Sequence, residues 1–236
     1  MSLKRTRQIT GILFILGAIL VNIPYTQLII NFDYPDILRE PAGVILEAFA
    51  AGSPSLVWIW LAFAWVGLPI LVGVLLLPDA MEDHTPLSRV ALFFGAMGAF
   101  VQMLGLLRWP FVVSILARLY TTSQSSEVTK KSVEVVFQAV HQYGGVVLGE
   151  HIGQVFTVLW MILISVSMLR NGLFPRWLPI TGFAAGFIYW LAQGELLATA
   201  IPDFPAWDVA GLLGSLLWLS WLIALGILLL RAAKES

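Results

Sequence analysis

The segment VHQYGGVVLGEHIGQ, residues 140–154, holds two of the chain's three histidines and a glutamate. Imidazole and carboxylate groups can ligate a metal, move protons near neutral pH, or bracket helices together through hydrogen bonds. Arg108, Gln193 and Glu195 also interrupt sequence that is otherwise apolar. Two chemical readings follow. In one, His141, His151, Glu150 and Glu195 supply metal ligands and a base for a metal-dependent hydrolase. In the other, Arg108 faces an anionic group and Tyr143, Glu150, His151, Gln154 and Glu195 complete a pocket for a small ligand or ion. A third reading needs no ligand: the groups pair with one another and fix helix packing. The sequence leaves the three open and indicates no particular cofactor. The absence of cysteine excludes disulfides, thiolate metal sites and a cysteine nucleophile.

Helical geometry constrains the metal reading. On a straight α-helix, ten residues separate His141 from His151 by about 15 Å along the axis and about 80° around it. They reach one ion only if the helix breaks at Gly144-Gly145, where two glycines favour a break. Gly145, Gly149 and Gly153 repeat every fourth residue and predict a smooth packing face. Tyr143, Glu150, Gln154 and Thr157 form a separate polar stripe at α-helical spacing.

The elements that must position these groups are set by composition. Of 236 residues, 59% are hydrophobic and 11% charged, against about 25% charged in a soluble domain. The chain lacks the charge to cover a water-facing surface, so it reads as an integral membrane protein. Its net charge of −1 carries no basic signal for nucleic acid. Six predominantly apolar runs are long enough to cross about 30 Å of hydrocarbon as helices: about 9–30, 54–77, 90–107, 147–169, 177–200 and 209–230. Lys4, Arg5 and Arg7 precede the first run like a signal-peptide n-region, but the run is too long and lacks a clean cleavage site, so it reads as a retained span.

With both termini cytoplasmic, eight of the 13 basic residues fall on the inner side and ten of the 14 acidic residues on the outer side, as the positive-inside rule requires. Two outer segments have amphipathic character. In the first, Val44, Ile45, Ala48 and Phe49 recur at helical spacing and predict a short helix on the membrane face. In the second, Trp109-Pro110 ends or kinks the third span, and Ser126 caps a helix with Val133, Val136, Phe137 and Val140 as its stripe. Asn22, Tyr25, Gln27, Arg108, His141, Glu150, His151, Gln154, Gln193, Glu195 and Asp208 then fall near the outer ends of five spans. Trp58, Trp60, Trp109, Trp177 and Trp207 read as interfacial belt residues; Trp65, Trp160, Trp190, Trp218 and Trp221 read as packing between helices.

The stretches FDYPDILREPAGVIL, GEHIGQ and QGELLATAIPDFPAWD resemble a family of bacterial multi-pass membrane proteins defined by domain of unknown function number 4386. The resemblance covers nearly the whole chain. It implies a protein of the bacterial cytoplasmic membrane with about six spans, and implies no activity, cofactor or catalytic residue.

The sequence therefore predicts one all-α integral membrane domain over residues 1–236, a bundle of six transmembrane helices with two amphipathic extracytoplasmic segments. Its expected partners are the lipid bilayer and a small ligand, an ion or a membrane protein. The expected function is a sensor, binding protein or partner subunit with an outward-facing polar pocket. An intramembrane metal-dependent hydrolase is the alternative, and a secondary transporter a weaker one.

Overall fold

The computed structural model describes residues 1–207 and 209–235; Asp208, expected to open the last span, lies outside them. Among the described residues the chain is built from helices and turns, with no strand. Twelve α-helices follow in order: α1 Leu3–Leu20, α2 Asn22–Phe32, α3 Ala42–Ala51, α4 Ser55–Trp65, α5 Gly67–Met81, α6 Pro86–Arg108, α7 Ser114–Thr121, α8 Glu127–Val140, α9 Gly153–Asn171, α10 Trp177–Leu191, α11 Gln193–Ala198 and α12 Ala210–Glu235. Two further stretches, Trp109–Val113 and His141–Ile152, are wound as π-helix.

Among the described residues, five helical runs are long and apolar enough to cross a membrane: Leu3–Phe32, Ser55–Met81, Pro86–Thr121, Glu127–Asn171 and Ala210–Glu235. The sixth apolar run, 177–200, does not form one long helix. Its 15-residue helix α10 ends at Leu191, and the six-residue α11 follows beyond Ala192. Fifteen residues reach only about 22 Å. The chain then returns closely against α11, where a Cβ on Gly194 would lie 2.6 Å from the Pro205 carbonyl oxygen.

The chain divides into two compact units. The first comprises residues 1–19, 67–101 and 151–236. Here α10 packs on both α9 and α12. Phe14, Trp160, Met161, Leu178, Trp221 and Leu225 anchor its core. The indole N–H of Trp221 donates to the Leu178 carbonyl at 2.9 Å, tying α12 to α10. Gly172, at φ 72°, ends α9 in the left-handed conformation that glycine adopts without cost.

The second unit comprises residues 20–66 and 102–150. Its core is aromatic. Trp60 and Trp109 are fully buried and stacked, with ring centroids 4.6 Å apart and planes 9° apart. Phe32 meets both rings edge-on, and Phe49 stacks on Trp109. The belt reading of these two tryptophans is thus corrected: they pair inside the unit, while Trp58, Trp177 and Trp207 are exposed. Trp65 and Trp190, expected to pack between helices, are exposed as well.

The two amphipathic segments form helices, with differences in detail. The buried face of α3 is Ala42, Ile45, Leu46 and Phe49, and Val44 points outward. That face packs on α7 and α8. Ser126 caps α8, its hydroxyl accepting from the Thr129 backbone N–H at 3.1 Å. Pro110 neither ends nor breaks the third run. The π-turn Trp109–Val113 takes up the missing N–H, and helix resumes at Ser114.

Candidate functional site

The segment that carries the histidines folds as π-helix from His141 to Ile152. The expected break at Gly144-Gly145 is absent: α8, the π-helix and α9 form one continuous helical run. A π-helix bonds i to i+5 and holds more residues per turn than the 3.6 of an α-helix. The faces assigned at α-helical spacing therefore do not carry over. Tyr143, grouped with Glu150 and Gln154 by that spacing, is 64% exposed.

In the second unit, Arg108 is the central cation. It is buried, at 9% exposure. Its Nη1 donates to the Gly105 carbonyl at 2.6 Å, and its Nε is buried without a hydrogen-bond partner. The guanidinium lies 5.4 Å from the centre of the Trp109 ring and within the electrostatic reach of Glu150. It rests against Gly145, where an added Cβ would collide with Nη2. One residue pair brings the backbones closer still: a Cβ on Gly105 would lie 2.5 Å from the Gly149 Cα. A Cβ on Gly105 has no room without a backbone shift, and one on Gly149 would stand 3.1 Å from the Gly105 Cα.

His141 opens the π-helix. Its ring stacks on Phe137, at 5.4 Å, and meets Trp109 edge-on. Its Nδ1 is buried without a partner. The same residue lines an open groove of about 380 Å³ with Leu38, Glu40, Ile45, Gln138 and Gln142. The wall is thus part aliphatic, part hydrogen-bonding, and of the size range of small-molecule sites. Glu40, Gln138 and His141 were not grouped by the sequence, because the loop before α3 meets α8 only in the tertiary fold.

In the first unit, His151 Nδ1 lies 2.5 Å from Gln193 Oε1, and Gln193 Nε2 donates to Gln154 Oε1 at 2.7 Å. With its Nε2 spent as a donor, Gln193 offers His151 an acceptor. His151 Nδ1 therefore serves as the donor in this pair. Gln193 is 5% exposed. Glu195 is half-buried, with Oε2 near Gly211 in the first turn of α12, where the helix dipole favours an anion.

A second polar cluster in this unit escaped sequence reading. Arg7 is buried and donates from Nε to the Ala80 carbonyl at 3.0 Å and from Nη1 to the Ala232 carbonyl at 3.4 Å. Its Nη2 pairs with Glu82 at 3.3 Å. One guanidinium thereby caps the C-terminal carbonyls of α5 and α12. Beside it, buried Asp83 accepts from the Ser167 hydroxyl and from the Thr85 backbone N–H. Burial pushes the Asp83 carboxyl upward, but the hydrogen bonds from Ser167 and Thr85, with nearby His84, outweigh it and leave it below the ordinary 3.8. Arg7 and Asp83 looked like loop and flank charges, and nothing in their spacing marks the carbonyls they meet.

Among the described residues, no group of three or more histidine, aspartate or glutamate side chains is placed to hold a metal ion. No curated protein and no solved structure gives a match to this chain. A family model described as "Domain of unknown function (DUF4386)" matches residues 9–226. With the apolar helices long enough to span a bilayer, that match identifies the chain as a multi-pass membrane protein of the DUF4386 family.

Proposed function

We propose that this protein is a small-ligand-binding protein of the cytoplasmic membrane, a sensor or binding subunit, with both termini cytoplasmic. Its recognition site is the groove of the second unit. His141 and Gln142 present hydrogen-bonding groups there, Glu40 an anion, and Leu38, Ile45 and Phe137 an apolar wall. Arg108 acts from behind Trp109, setting the positive field that His141 feels. The observation that carries this reading is His141 itself, a residue of the groove wall whose Nδ1 is buried and has no hydrogen-bond partner. A buried polar atom left without a partner costs about 1–3 kcal/mol, and a ligand in the groove that draws the His141 ring toward it recovers that cost.

Thermal melts of the purified protein with phosphate, small carboxylates, amines and apolar amino acids test the reading. A ligand at 100-fold its Kd stabilises by about 2.7 kcal/mol, a readable rise in Tm. His141→Phe keeps the ring packing on Phe137 and removes the nitrogen. It should abolish the ligand-induced rise while holding the ligand-free Tm within a few degrees. If no probe raises the wild-type Tm, or His141→Phe responds as the wild type does, the groove is not a ligand site.

A further inference from the structure

The winding of His141–Ile152 is the least expected feature of the chain. π-Helix occurs mostly as single turns, and here it runs for 12 residues. Ordinary α-winding is the better-bonded alternative for such a segment, so neighbouring contacts must hold the wider form. Those contacts are specific. The Gly105 and Gly149 backbones touch where a Cβ on Gly105 would lie 2.5 Å from the Gly149 Cα, and the Gly144 carbonyl oxygen lies 3.0 Å from the same Cβ position. Arg108, three residues on, bonds the Gly105 carbonyl and lays its guanidinium over Gly145. The latch thus comprises one buried cation and two glycine contacts, all on the segment 102–150.

We propose that residues 141–152 form a two-state element, latched as π-helix by Arg108 and the Gly105–Gly149 contact and relaxing to α-helix when the latch is released. Conversion lengthens the segment and turns its later residues about the helix axis. His141, at its first position, links this element to the groove. The proposal does not depend on the groove's binding a ligand, and its test contains none.

The absence of cysteine allows clean paired spin labels on cysteines introduced at Val136 and Val147. Eleven residues of α-helix would place these positions about 16 Å apart along the axis and within about 20° of the same face. The wild-type background should depart from this geometry, since π-winding both rises less per residue and turns Val147 away from the face of Val136. Arg108→Met removes the guanidinium but keeps bulk, and Gly145→Ala displaces the guanidinium while leaving the cation. Either should shift the distance toward the α-helical value. Two results overturn the proposal: an α-helical distance in the wild type, or an unchanged distance in whichever variant keeps the wild-type circular dichroism melt.

Discussion

At the scale of single residues, buried polar groups matter more than their number suggests. Asp83 is held ionised by donors from Ser167 and Thr85, and its carboxyl lies below the ordinary range. A carboxyl with a depressed folded-state pKa stabilises the fold above its unfolded value of about 3.9. That contribution is lost as pH falls through the lower, folded value. Thermal stability should therefore drop as the solution is taken from pH 5 toward pH 3. Asp83→Asn should lower the Tm at pH 6 and flatten this part of the profile; an identical acid profile in the variant would contradict the assignment. Ser167 is the donor that matters most, and it reaches the loop carboxylate of Asp83 from α9.

Among the elements, α8 shows how local chemistry sets a boundary. Ser126 has extended backbone and accepts from the third amide beyond it, with Glu127 in the first turn favouring the helix dipole. Ser126→Ala should cost about 1 kcal/mol. The loss should appear as faster amide exchange confined to the first turn of α8, with the aromatic core below unaffected. Protection unchanged at Glu127–Lys130 would show that the cap contributes nothing. The aromatic core is the opposite case. Trp60 on α4 and Trp109 on the π-turn stack because helices distant in sequence meet there, and the turn that absorbs Pro110 also aims Trp109 inward. A belt assignment by depth alone cannot distinguish a tryptophan facing lipid from one facing another helix.

For the whole molecule, the distribution of charge makes a prediction about orientation. Lys4, Arg5, Arg7, Arg89, Arg170, Arg176, Arg231 and Lys234 gather on the side assigned to the cytoplasm. Single cysteines at Ser2 or Thr85 should react with a membrane-impermeant thiol reagent only after permeabilisation. Cysteines at Gln124 or Asp203 should react in intact cells. The reverse pattern would invert the orientation and place the Glu40–His141 groove on the cytoplasmic side.

The sequence by itself determined the membrane class, the helical secondary structure, the cap at Ser126 and the family. These depend on local properties: the length of an apolar run, the hydrogen-bonding capacity of a serine, the scarcity of charge. It also singled out Arg108, His141, His151 and Glu195 as polar groups in apolar surroundings. Only the tertiary structure decided what each one meets. Facing directions accumulate along a helix, so one unanticipated π segment dissociates Tyr143 from the stripe assigned to it. The partners of Arg7, Asp83, His151 and Trp60 come from segments far apart in sequence. Packing selects those partners, and no local spacing records the selection.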